Sequence, residues 1–275
     1  VVNIPNFVRD GQRAGALGMM NTSWDDDGEA LFEMTWYGVV LGAAASWQDA
    51  PLDVGAFDGS FDWAFFRSDG QGFVRAIRDL GRVNSLLGVP ASDPLFWQEP
   101  FTSSFQTRVR ALSDKTRQLR LMVEQAEETL LREGADARRN RQMIPALLLA
   151  ARRFDHLGRR MEVAQQFSLD YWNAYLNLGD RRQVQRLRRY TGAVRNSLRE
   201  MAEELTLLRE SYRQQWLSEN RPYWLDSILA RYDLMIANWL GKSRALDEAV
   251  RDYDASSTLP NPEEFGVGAR PVAPK

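Results

Sequence analysis

The sequence predicts a mainly α chain in which one strand-and-helix unit precedes a long antiparallel helical bundle. Three observations predict it. Glycine and proline punctuate short segments up to about residue 100, and long helical periodicity replaces them from there. The apolar run Ala16-Leu-Gly-Met-Met-Asn-Thr22 is too short for a free helix, and glycine and the acidic cluster Asp25-Asp-Asp-Gly28 bound it as they would a buried strand and its exit loop. Beyond residue 102 the periodic segments are long and their connections short, the pattern of a helix bundle.

Taken in order, a first helix is expected from Asn3 to about Arg13, with Pro5 in its opening turn and Gly15 as its stop. The strand 16–22 follows, and then a helix from Glu29 to Trp47. The small residues Gly38, Gly42, Ala43, Ala44 and Ala45 of that helix allow close packing on a sheet or a second helix. A strand, a loop and such a helix make one βα unit, which is not stable alone because a parallel strand needs neighbours. Residues 48–100 read as loops with one helix from Gln71 to Leu87, and Phe57, Phe61, Trp63, Phe65 and Phe66 form a small satellite core beneath them.

The bundle begins near Thr102, where Ser103 and Gln106 have the spacing of a capping box, and Gly134 closes its first helix. The next helix spans about Ala137 to Leu178, tolerating or kinking at Pro145, with Gly179-Asp180 as its stop. A third is expected over Arg181–Glu219 and a fourth from Pro222 to about Tyr253, leaving 256–275 extended or frayed. The domain division is 1–50, a connector at 51–101, the bundle at 102–254 and a tail at 255–275.

Composition removes several kinds of chemistry. The chain of 275 residues has no cysteine and one histidine, so disulfides, thiolate catalysis, thiolate zinc sites and a histidine metal cage are out, and a Ser-His-Asp triad has little material. No metal or other cofactor is expected. With 35 basic and 37 acidic residues the formal net charge is −2, which gives no field to attract nucleic acid. No apolar run reaches the length of a membrane span, and mean hydropathy is −0.44, so a membrane partner is not expected. Val1 in place of Met, with no signal peptide visible, suggests a fragment or a processed chain, and nothing assigns a compartment. Nine tryptophans, five of them before residue 100, suit either carbohydrate stacking or an aromatic core.

Arginine pairs such as Arg138-Arg139, Arg152-Arg153, Arg159-Arg160, Arg181-Arg182 and Arg188-Arg189 are balanced by Glu124, Glu127, Glu128, Glu200, Glu203 and Glu204, so they read as solvated faces laced with ion pairs. His156 reads as a hydrogen-bonded residue at a helix interface. The stretch Asn21-Thr-Ser-Trp24-Asp-Asp26-Asp-Gly-Glu29 has functional texture. It places an aromatic ring and carboxylates just beyond the end of the expected strand, where parallel α/β folds bind ligands. Trp24 offers a face for the C–H side of a pyranose, and Asp26 can accept hydrogen bonds from ring hydroxyls. The same acids could instead cap the following helix, or hold a cation, although their spacing departs from an EF-hand loop.

The residues Gly15-Ala-Leu-Gly-Met-Met-Asn-Thr-Ser-Trp24-Asp-Asp26-Asp-Gly-Glu29, continued by Leu31 to Trp47, resemble the last strand, loop and helix of the (β/α)8 barrel of family 20 glycoside hydrolases, the β-N-acetylhexosaminidases. Trp24-Asp25-Asp26-Asp27-Gly28 is similar to the Trp-Gly-Asp-x-Gly pattern of one branch, and Trp216–Leu225 is similar to the helical region after the barrel. The resemblance implies that Trp24 walls the −1 sugar subsite and that Asp26 holds sugar hydroxyls. In the family an Asp-Glu pair after the fourth barrel strand carries substrate-assisted, retaining hydrolysis, and no counterpart of that pair is present here. The expectation is therefore a remnant of the last βα unit of a barrel followed by the bundle. The chain would be the C-terminal portion of a glycosidase, inactive alone, whose partners are an N-acetylhexosaminide and the missing N-terminal part of the barrel, with self-association through the bundle as a further option. The alternatives are a non-catalytic helical scaffold or a degenerate relative of the glycosidases.

Overall fold

The computed structural model describes residues 3–23, 31–192 and 196–270, and among them the chain is mainly helical and contains no strand. Helix α1, Asn3–Arg13, ends in a Schellman arrangement: Gly15 is left-handed at φ 76°, its amide donates to the Gln12 carbonyl, and the Ala16 amide reaches back to Gly11 at 2.9 Å. Residues 16–22 do not form the expected strand. Leu17–Asn21 makes no backbone–backbone hydrogen bond among the described residues, and a strand exists only through a paired neighbour.

After the buried Leu31, a 3₁₀ turn Phe32–Thr35 leads into α2, Trp36–Ser46, which packs against α1. The region expected to be loops is instead helical. Asp53 accepts the amides of Gly55 and Ala56 and so starts α3, Val54–Phe61, which runs on into a π-helical turn, Asp62–Phe66. The aromatic cluster keeps its role as a core, with Phe61 stacked on Phe65 at 5.3 Å and Phe66 on Phe73 at 4.1 Å, while Trp63 stays outside. The single helix expected over 71–87 is two, α4 (Gly72–Gly81) and α5 (Val83–Leu87). A short α6, Asp93–Trp97, follows with Pro94 in its first turn.

The long segments are also more divided than their periodicity implies. They form α7 (Ser103–Ala111), α8 (Ser113–Gly134), α9 (Met143–Leu176), α10 (Arg181–Leu187), α11 (Ser197–Glu219) and α12 (Leu225–Ser256). The cap of α7 is Thr102, which accepts the Phe105 amide; Gln106 is buried and donates to the carbonyls of Pro100 and Ala164, so the expected capping box is not formed. Pro145 is tolerated because it lies in the first turn of α9, where its missing N–H has no partner to lose. The helix expected over 181–219 breaks after α10 into a 3₁₀ turn, and Asn196 restarts it by accepting the Arg199 amide.

Contacts divide the chain into two compact units. The first holds Val1–Arg82, Met122–Arg152 and Tyr212–Leu225; the second holds Val83–Leu121, Arg153–Ser211 and Asp226–Lys275. Within the second unit the described part of the tail, non-helical as expected, is packed at residues 265–268. Phe265 stacks on Tyr171 at 4.6 Å, Ser168 donates to the Val267 carbonyl at 2.6 Å, and Trp172 donates to that of Gly268 at 3.0 Å. Gly266, at φ 80°, lies against the Phe101 carbonyl, where a β-carbon has no room. No described helix is long and apolar enough to cross a membrane.

Candidate functional site

Trp24 and Asp26, the expected sugar-binding residues, lie outside the described residues, as do Asp25, Asp27, Gly28 and Glu29. The chain on either side of them is described. Asn21 donates to the Gly38 carbonyl of α2 at 3.0 Å, and a β-carbon at Gly42 would lie 2.7 Å from the Asn21 amide nitrogen and 3.3 Å from the end of Met19. The glycines of α2 thus let the extended segment lie directly on the helix, as their small size suggests. Leu17 and Met20 remain exposed on that segment, and a cleft of about 350 Å³ opens between α1 and residues 16–19, lined by Phe7, Val8, Leu17 and Met19.

Around this arrangement the first unit holds polar groups that sequence reading missed. The Tyr37 hydroxyl donates to Asp58 at 2.5 Å and accepts from Arg78 at 3.3 Å; burial, followed by the Asp58 hydrogen bond, pushes its pKa up to about 12. The Glu33 amide donates to Glu219 at 3.0 Å, and burial together with the Glu219 carboxylate raises the Glu33 pKa. Asp62 is almost fully buried and accepts the amides of Phe73 and Val74 at 2.8 and 2.9 Å, capping α4 from a distance. Burial outweighs those two donors and carries its pKa up to about 6. These carboxylates bond partners 11, 12, 21 and 186 residues away in the chain, so no local motif announces the long-range ones. An exposed aromatic pair, Tyr223 and Trp224, adjoins the start of α12, and Trp224 is held at φ 65°.

In the second unit, His156 is buried with Nδ1 3.1 Å from Glu204, and its Nε2 has no hydrogen-bond partner among the described residues. Burial first, and then the Arg160 charge, depress its pKa to about 3, so the ring is neutral at pH 7 and its Nδ1–H donates to the carboxylate. Its expected place in a hydrogen-bonded interface is what the helices α9 and α11 provide. The arginine faces are mixed in character. Arg159 pairs with Glu200 at 2.7 Å and with Glu204, as a solvated face would, whereas Arg160 is fully buried and donates to the carbonyls of Leu95 and Gln98. Arg153 lies over the ring of Phe96 at 4.6 Å.

No group of three or more candidate metal-ligating side chains occurs among the described residues. Comparison with protein-family models, with curated proteins and with solved structures finds no match to this chain.

Proposed function

We propose that this chain is the C-terminal portion of a glycoside hydrolase acting on terminal N-acetylhexosamine, with Trp24 and Asp26 forming one wall of the sugar subsite. The observation that supports the reading is the α1–extended segment–α2 arrangement. The segment Leu17–Asn21 makes no backbone–backbone hydrogen bond among the described residues, exposes Leu17 and Met20, and is seated on the glycine face of the helix that follows it. A βα unit awaiting neighbouring strands has these properties, because main-chain groups left unpaired at a sheet edge invite strand addition. In such a unit the residues between segment and helix, which carry the tryptophan and the acid, would belong to the sequence position at which barrel sites are built.

In this reading the catalytic Asp-Glu pair belongs to the part of the barrel that precedes the unit, so the 275-residue chain alone hydrolyses nothing. The test is kinetic. In the full-length enzyme, Trp24→Ala and Asp26→Ala should each reduce kcat/KM on an aryl N-acetylglucosaminide by about 1–3 kcal/mol in transition-state binding. Unchanged kcat/KM in both variants refutes the site, and turnover by the 275-residue chain refutes its incompleteness.

A helical scaffold is the second reading, and the self-contained aromatic core of the second unit, centred on the fully buried Trp239, Tyr232 and Phe105, favours it. It predicts no change in tryptophan fluorescence when N-acetylglucosamine or its thiazoline is added to the full-length protein. A glycosidase relative with a degenerate site would bind the thiazoline without hydrolysing the glucosaminide.

A further inference from the structure

The first unit contains a second cleft, of about 530 Å³, remote in sequence from the sugar loop and lined by Arg67, Ser68, Asp69, Asp136, Arg138 and Arg141. Its two walls are short loops tied to each other through the main chain. The amides of Arg138 and Arg139 both donate to the Phe66 carbonyl, at 2.9 and 3.0 Å, and the Asn140 side chain donates to the Phe65 carbonyl at 2.8 Å. These bonds satisfy carbonyls left open at the end of the π-helical turn, and they fix the separation of the walls before any ligand arrives.

Two features set the cleft apart from an ordinary charged surface. Arg67 and Asn140 both hold left-handed backbone, at φ 53° and 50°. Arg67 stands where a helix end ordinarily takes glycine, so a guanidinium is kept in a conformation that works against it. In addition, Arg138 and Arg141 make no ion pair among the described residues, although Asp69 and Asp136 line the same cleft. Several other arginines of this unit are engaged, as Arg152 is with Glu127 at 2.7 Å and Arg78 with Asp58 at 3.8 Å. Three guanidinium groups against two carboxylates leave the cleft with an excess of one positive charge. Arg67 gives one N–H to the Trp63 carbonyl at 3.4 Å and lies over the Trp63 ring at 5.2 Å, which leaves it further N–H donors beside those of Arg138 and Arg141.

From this geometry we infer that the cleft is a binding site for an oxyanion, a sulfate, phosphate or carboxylate group, held by Arg67, Arg138 and Arg141. The guanidinium fork matches the paired oxygens of such a group, and the strapped loops reduce the ordering cost of binding. Asp69, Asp136 and the Ser68 position add acceptors beside the cations. A ligand that carries hydroxyls next to its anionic group, such as an acidic sugar, would therefore engage more of the cleft than a free ion does. The inference is independent of the glycosidase reading, since none of its residues belongs to the sugar loop.

The test is titration calorimetry and thermal melting of the 275-residue protein with sodium sulfate, sodium phosphate, sodium glucuronate and neutral glucose, against sodium chloride at matched ionic strength. Saturable binding of at least one of the three anions is expected. In the Arg138→Gln/Arg141→Gln variant the affinity should fall about tenfold, because two charge-assisted contacts at a partly exposed site are lost. Both positions are solvent-exposed, so the variant should keep the wild-type circular dichroism spectrum. Arg67→Gly separates binding from backbone strain. It relieves the left-handed arginine but gives up the Arg67 contacts to Trp63, so it should melt close to the wild type yet bind the same anion more weakly. Glucuronate binding well above sulfate identifies an acidic sugar as the ligand class, and equal binding identifies a free oxyanion. An anion response no different from that of chloride, or affinity within about twofold of wild type in the double variant, overturns the inference.

Discussion

Replacing His156 by glutamine is expected to flatten the acid side of the stability profile of the second unit. The structure holds the imidazole neutral. It is buried, Arg160 and Arg159 lie close enough to disfavour a second positive charge, and Asp155 only partly opposes them. The ordinary histidine pKa of 6.5 falls to about 3 on folding, so between those values the unfolded chain binds a proton that the folded chain refuses. Stability contributed by the neutral ring is therefore complete above about pH 6.5 and is lost as the pH drops. Linkage puts the loss at about 2 kcal/mol by pH 5 and roughly 3 kcal/mol by pH 4, a large part of the net stability of a typical domain. The assay is urea unfolding followed by tryptophan fluorescence at pH 7.5, 6 and 5, comparing the wild type with His156→Gln, whose side chain can still donate to Glu204. The difference between the two proteins should narrow on acidification. Because the chain contains a single histidine, its proton resonance reads the same group directly and should not shift between pH 7.5 and 5 in the folded protein. A resonance that titrates near pH 6.5, or parallel pH profiles for the two proteins, would refute the reasoning.

Asp62 works in the opposite direction. Its raised pKa means that the folded state retains a proton between about 3.8 and 6, so its contribution is greatest at low pH and fades as the pH rises through about 6. Asp62→Ala strands the amides of Phe73 and Val74 and should cost about 2 kcal/mol in thermal melting, more at pH 4 than at pH 7. An equal loss at both pH values would remove the titration from the explanation. Gly266→Ala forces a β-carbon onto left-handed backbone and into the Phe101 carbonyl, and should destabilise by at least about 2 kcal/mol. Proteolysis should then cut the tail before the helices, whereas a wild-type cleavage pattern would show that the tail is not anchored there.

The sequence was most informative where a structural signal is local. Gly15 stops α1 as expected, because a left-handed C′ position is a single-residue requirement that glycine meets without strain. The glycines of α2 foretold a close approach, although the element lying against them is an unpaired extended segment and not a strand. Local signals also misled. Ser103 and Gln106 have capping-box spacing, yet Gln106 is drawn into the interior, where the Ala164 carbonyl, 58 residues away, supplies one of its acceptors. The contacts of the tail were hidden for a related reason. Its prolines and glycines exclude a helix, but composition could not show that Phe265 finds Tyr171 and that Val267 finds Ser168.

The candidate sites divide in the same way. Trp24 and Asp26 can be proposed from sequence alone because a sugar loop of the kind proposed would concentrate its chemistry within a few consecutive residues. The arginine cleft was hidden, since Arg138-Arg139 looks like any solvated basic pair until the Phe66 carbonyl fixes it opposite Arg67. By itself the sequence determined that the chain is mainly helical, free of thiol chemistry and nearly neutral, and where several of its helices begin and end. Those properties follow from composition, from the 3.6-residue period and from single capping residues, all of which act over a few positions. Tertiary structure alone decided where the long periodic segments break, which charges are buried and which polar groups meet. Each of those outcomes depends on desolvation and on partners tens of residues away in the chain, and neither is encoded in any short window of sequence.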